Sequence, residues 1–77
     1  MTTEEALEWI AELFEEPLEA INPDVSAEEI PAWDSLGVLN LMAGLDEDFD
    51  IQLSDEELQQ LKTVGDIMEL FKRYGHI

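Results

Sequence analysis

Thr2-Thr3-Glu4-Glu5-Ala6-Leu7-Glu8-Trp9-Ile10-Ala11-Glu12-Leu13-Phe14-Glu15-Glu16 decides the fold class. A threonine followed three residues later by glutamate is a capping box, and it predicts a helix from about Thr3 to Glu15. At about 100° per residue, Glu4, Glu5, Glu8, Glu12, Glu15 and Glu16 fall within roughly a third of the circumference. Ala6, Leu7, Ile10, Leu13 and Phe14 take the opposite side. A helix divided in this way must lay its apolar side on other elements.

Those elements also read as helices. Asp34 or Ser35 starts a second one that runs to about Asp48 or Phe49, with Val38, Leu41, Met42, Leu45 and Phe49 on an inward arc. Leu36, Leu39 and Ala43 form an apolar strip beside it, wider than one core contact needs, and so either a partner surface or a face covered by the preceding loop. Gly37 and Gly44 fall on its polar side, each costing about 1 kcal/mol against alanine. A short third helix is capped by Ser54 with Glu57 reaching back and is anchored by Leu58 and Leu61. The fourth begins at Thr63, turns Val64, Ile67, Met68, Phe71 and Tyr74 inward, and stops at Gly75. Between the first two helices, Pro17 to Trp33 is a long loop with three prolines, pinned by Leu18, Ile21, Val25 and Ile30, with room for a helical turn near Ala27 to Glu29. The expected architecture is all-α: one domain over residues 1–77, a small four-helix bundle with one minor helix.

Composition narrows the function. Twenty Asp plus Glu face three Lys plus Arg, a formal net charge of -17 in 77 residues. All three cations lie in residues 62 to 77. Such a chain is repelled by nucleic acid and by anionic membranes, so neither is an expected partner. No apolar run approaches the roughly 20 residues of a membrane span. Without cysteine there is no disulfide or thiolate chemistry. The opening residues lack a signal-peptide pattern; a cytoplasmic location and a monomeric state are expected.

Catalytic signals are weak. His76, the single histidine, lies one residue from the end of the sequence, where fraying is expected, and no nucleophile elbow or glycine-rich phosphate loop is present. Asp46, Asp48, Asp50, Gln52, Ser54 and Glu57 are spaced like the ligands of a twelve-residue calcium loop, yet Ile51 stands where the sharp turn requires glycine. The expectation is no dedicated metal site, with weak divalent binding at Asp46, Asp48 and Asp50. Ser35 has two readings. It can be a plain N-cap, or an attachment point where the positive end of the helix favours a phosphate.

Asp34-Ser35-Leu36, a helix ending Leu45-Asp46-Glu47-Asp48-Phe49-Asp50, then Asp55-Glu56-Glu57 and Thr63-Val64-Gly65-Asp66, together resemble the acyl carrier proteins over nearly the whole chain. The resemblance implies that Ser35 carries 4'-phosphopantetheine, placed there by a phosphopantetheinyl transferase, with Asp34 helping to orient the coenzyme and its metal. The thiol that the chain lacks is thereby imported. It further implies a non-enzymatic carrier of acyl thioesters for fatty-acid, polyketide or specialised lipid synthesis. Val38, Leu41, Met42, Leu45, Leu61 and Ile67 would shelter the acyl chain. Basic docking patches on synthases and acyl-transferring enzymes would read Leu36, Leu39, Ala43, Asp46 and Glu47. Gly37 and Asn40 stand where the family commonly has acids, and Trp33 is bulkier than usual; these departures point to a dedicated pathway. The rival readings are an aminoacyl or peptidyl carrier, and a calcium-responsive interaction module built on Asp46 to Glu57.

Overall fold

The capping box at Thr2 forms: Glu5 N–H donates to Thr2 Oγ1 at 3.1 Å and Thr2 N–H donates to Glu5 Oε1 at 2.8 Å. In the computed structural model, which describes residues 1–77, four helices follow one another as α1 (Thr3–Leu13), α2 (Ser35–Phe49), α3 (Asp55–Gln59) and α4 (Val64–Arg73). The fold is the expected all-α bundle. Its sole strand-like feature is an isolated antiparallel bridge between Ser26 and Thr63.

Helix α1 ends two residues before the expected Glu15. Glu15 adopts φ +56°, its N–H donates to Glu12 O, and Glu16 N–H donates to Ala11 O at 2.9 Å. This is a Schellman closure with glutamate where glycine is usual, followed at once by Pro17, which cannot extend a helix. Ala6, Ile10, Ala11 and Phe14 are buried, while Leu7 and Leu13 are half-buried.

The long loop is more regular than its prolines suggest. It contains two 3-10 turns, Leu18–Ala20 and the expected Ala27–Glu29. Val25 O accepts from Val64 N–H, Pro23 O from Gly65 N–H, and Lys62 O from Ala27 N–H, all at 2.8–2.9 Å. The loop is therefore tied to the start of α4. Ile21 and Ile30 are buried as expected. Leu18 instead stays exposed, because its 3-10 turn buries none of its residues and Ile21 makes the contact.

Two aromatic groups fill the core. Phe14 stacks on Trp33, with centroids 5.1 Å apart and planes 14° apart. Phe49 meets Trp9, Phe71 and His76 edge to face at 4.8–5.2 Å, a geometry favoured by ring quadrupoles. His76 does not fray. Its Nε2 lies 3.1 Å from Phe49 O, and the Met1 ammonium donates to His76 O at 2.8 Å, so the two ends of the sequence close over this cluster.

Tyr74, expected inside, is 41% exposed. Its hydroxyl donates to Glu57 Oε2 at 3.1 Å, beside the one ion pair of the structure, Arg73 Nη1 to Glu57 Oε2 at 3.3 Å. Glu57 thus clamps the short α3 to α4. Its carboxyl is held below the ordinary glutamate range, foremost by the Ser54 N–H, against an opposing effect of partial desolvation. The hydroxyls of Tyr74 and Ser54, and then Arg73, add to the lowering. Because the folded value is depressed, the clamp's contribution is full above the ordinary glutamate range and is lost as pH falls through the lowered folded value. Glu57→Gln should therefore melt below the wild type at neutral pH, with the gap closing as pH falls below about 5. Melting curves that stay parallel across that range would remove Glu57 from the acid response.

Candidate functional site

Helix α2 is capped by Asp34, not Ser35. Asp34 Oδ1 accepts from Gly37 N–H at 2.9 Å, and Asp34 itself is extended. Ser35 is consequently the first residue inside the helix, exposed, and its hydroxyl takes no part in the cap. The plain-cap reading of Ser35 fails on this geometry: the orphan first-turn N–H is satisfied by the neighbouring carboxylate, and the serine hydroxyl is left facing solvent. The remaining N–H groups of the first turn have no intrahelical acceptor, so an exposed hydroxyl stands at a helix N-terminus beside the Asp34 carboxylate.

Gly37 is buried, not on a polar surface as its wheel position suggests. A Cβ there would lie 1.9 Å from Ala32 O and 3.0 Å from Ala32 C. The bare α-carbon lets the end of the long loop press on the first turn of α2, next to Ser35. Gly44 has a similar reason, since a Cβ would come within 2.9 Å of the Trp9 ring. That ring donates from Nε1 to Asp48 Oδ2 at 2.8 Å, locking α1 to α2. Trp33, 9% exposed on Phe14, belongs to the core. Its size is used in packing on Phe14.

The other expected site residues separate by face. Leu36 and Leu39 are 66% and 61% exposed, and Ala43, Asp46 and Glu47 are exposed in the turns below them. The long loop does not cover this strip. Leu41, Leu45 and Ile67 are fully buried, Val38 and Leu61 are half-buried against the same core, and Met42 is half-buried. Met42 also lines a surface hollow of about 260 Å³ with Ala43, Asp46, Ile51, Gln52 and Leu53.

Residues 46–57 do not fold as a calcium loop. Asp46 and Asp48 lie in the last turn of α2 and Glu57 in α3. Ile51 is 1% exposed in the core, and Glu57 is committed to its clamp. Asp50 takes the left-handed turn, at φ +57°, that the calcium pattern would assign to the following residue. No three His, Asp or Glu side chains converge in a way that could hold a metal ion.

Comparison with known proteins agrees with this geometry. The family model described as the phosphopantetheine attachment site matches residues 4–71. The solution structure of holo acyl carrier protein from Geobacter metallireducens aligns with a TM-score of 0.78 at 36% identity, over 96% of this chain and 86% of that one. An acyl carrier protein of Clostridium acetobutylicum is 39% identical over 41 residues, 53% of each protein. That alignment spans about half the length of this curated relative. The chain belongs to the acyl carrier protein family and contains its phosphopantetheine attachment domain. No helix is long and apolar enough to cross a membrane.

Proposed function

We propose that Ser35 is the attachment residue for 4'-phosphopantetheine and that the chain carries acyl intermediates between separate enzymes in the cytoplasm. The observation that carries this reading is the division of labour at α2, where Asp34 caps the helix and Ser35 keeps an exposed hydroxyl. The residues fit the group. A phosphodiester on Ser35 Oγ would sit at the helix N-terminus, where the dipole and free N–H groups favour negative charge. When bound, the arm supplies a thiol that holds cargo as a thioester, chemistry that a chain without cysteine does not otherwise have.

The chain's own residues present the arm and address it. Exposed Leu36, Leu39 and Ala43 give a partner an apolar contact, and Asp46 and Glu47 steer basic patches towards it. Val38, Leu41, Met42, Leu45, Leu61 and Ile67 are the side chains between which an acyl chain would insert. With three of them fully buried, insertion requires neighbouring elements to part. Helix α3 is the natural one to move, being five residues long with none buried. The transferase and the acyl-transferring or synthase enzymes are the proposed partners, and the carrier acts as a monomer.

Intact mass after incubation with coenzyme A, Mg²⁺ and a broad-specificity phosphopantetheinyl transferase tests the reading. One phosphopantetheine per chain is expected. A mass that never changes would end the assignment.

A further inference from the structure

Helix α3 is anchored firmly at its two flanks and lightly between them. On one side Ile51 is buried and its N–H donates to Leu45 O at 3.0 Å. On the other, the N–H groups of Lys62 and Thr63 donate to Asp66 Oδ2 at 2.8 and 3.0 Å. No backbone hydrogen bond joins residues 53–61 to the rest of the protein. The helix buries none of its own residues, and Leu53 and Leu61 on either side of it reach the core only in part.

One polar tie crosses from α3 to α4. Glu57 Oε2 accepts from Tyr74 Oη at 3.1 Å and from Arg73 Nη1 at 3.3 Å, while its Oε1 serves the cap at Ser54. Beside this tie lies a hollow of about 190 Å³, with Glu57 and Leu61 on the α3 side and Leu70 and Arg73 on the α4 side. The two helices are therefore bridged by side chains across a gap, where close packing would otherwise hold them.

We propose that Glu57, Arg73 and Tyr74 form a latch that sets how readily α3 parts from the bundle, and so how far an acyl chain is drawn inside. The inference rests on the carrier reading of Ser35 and deepens it. Insertion requires α3 to move, and moving it away from α4 breaks both bonds to Glu57. The sheltering equilibrium is then the affinity of the open core multiplied by the fraction of molecules with the latch open. Arg73 ends α4 and Tyr74 is its C-cap, so neither belongs to the side chains that would touch cargo. They are positioning residues that bias a bound acyl group towards the exposed, transferable state. Two exposed bonds of this kind shift such an equilibrium by a factor of about three.

The test compares melting temperatures of the chain loaded from coenzyme A with those of the chain loaded from octanoyl-coenzyme A, both by a broad-specificity phosphopantetheinyl transferase. Arg73→Gln combined with Tyr74→Phe removes both donors to Glu57 and leaves the capping box of α3 intact. Both side chains are exposed, so the core is untouched. The octanoyl group should raise the melting temperature of this double variant by about 3–5 °C more than it raises that of the wild type, the reading of about threefold stronger sheltering. Lys72 shares the last turn of α4 but makes no ion pair, and Lys72→Gln should keep the wild-type gain. Without cargo, the amides of Leu58, Gln60 and Leu61 should exchange about threefold faster in the double variant than in the wild type. A purely structural role would lower the empty and loaded melting temperatures equally; an unchanged gain therefore overturns the latch. So does α3 exchange equal to that of the wild type, or a larger gain shared by Lys72→Gln. A wild type that accepts no arm at all overturns the carrier reading instead.

Discussion

Ser35→Ala should accept no phosphopantetheine at all and should unfold at nearly the wild-type temperature. The loss is complete because alanine offers no oxygen to join to phosphorus. The stability is kept because the Ser35 hydroxyl is not the helix cap. Removing an exposed, unengaged side chain away from the core is worth less than about 0.5 kcal/mol. Asp34→Ala makes the complementary test. Its carboxylate holds Gly37 N–H at 2.9 Å, and loss of such a cap costs about 0.5–2 kcal/mol. Calorimetry of the two variants should show Asp34→Ala clearly destabilised and Ser35→Ala unchanged. The reverse order would make Ser35 the cap and return it to a structural role.

Gly37→Ala should destabilise the protein by about 1–3 kcal/mol. In an exposed helix interior the same change stabilises by about 1 kcal/mol through helix propensity, so the sign itself is informative. Here the new methyl would overlap Ala32 O at 1.9 Å, and the obstacle is backbone, which cannot rotate away. The loop end has to shift, at the cost typical of overpacking. Trp33 follows Ala32 and stacks on Phe14, so its fluorescence should change along with the melting temperature. A Gly37→Ala protein more stable than the wild type would mean that the loop does not press on α2.

Several features of the fold were legible in the sequence because they are local. The capping boxes at Thr2 and Ser54, the start of α4 at Thr63, the apolar side of α1 and the Gly75 stop each depend on residues a few positions apart. What was not legible depends on distant partners. Gly37 and Gly44 reveal their purpose only when Ala32 and Trp9 are brought against them. Tyr74 has the period of a core residue, but Glu57 draws its hydroxyl outward. His76 looked frayed because nothing local predicts that Phe49 and Met1 hold it. The site itself was nearly readable, since Asp34-Ser35-Leu36 marked the helix start. Which of Asp34 and Ser35 caps and which stays free needed the direction of one hydrogen bond.

The carrier reading requires that one serine, freed by its neighbour's cap, bears the arm, and fragmentation mass spectrometry of the loaded chain locates it. The whole phosphopantetheine mass should lie on the peptide containing Ser35, with Ser26, Ser54 and every threonine unmodified. An arm located on any other residue would contradict it.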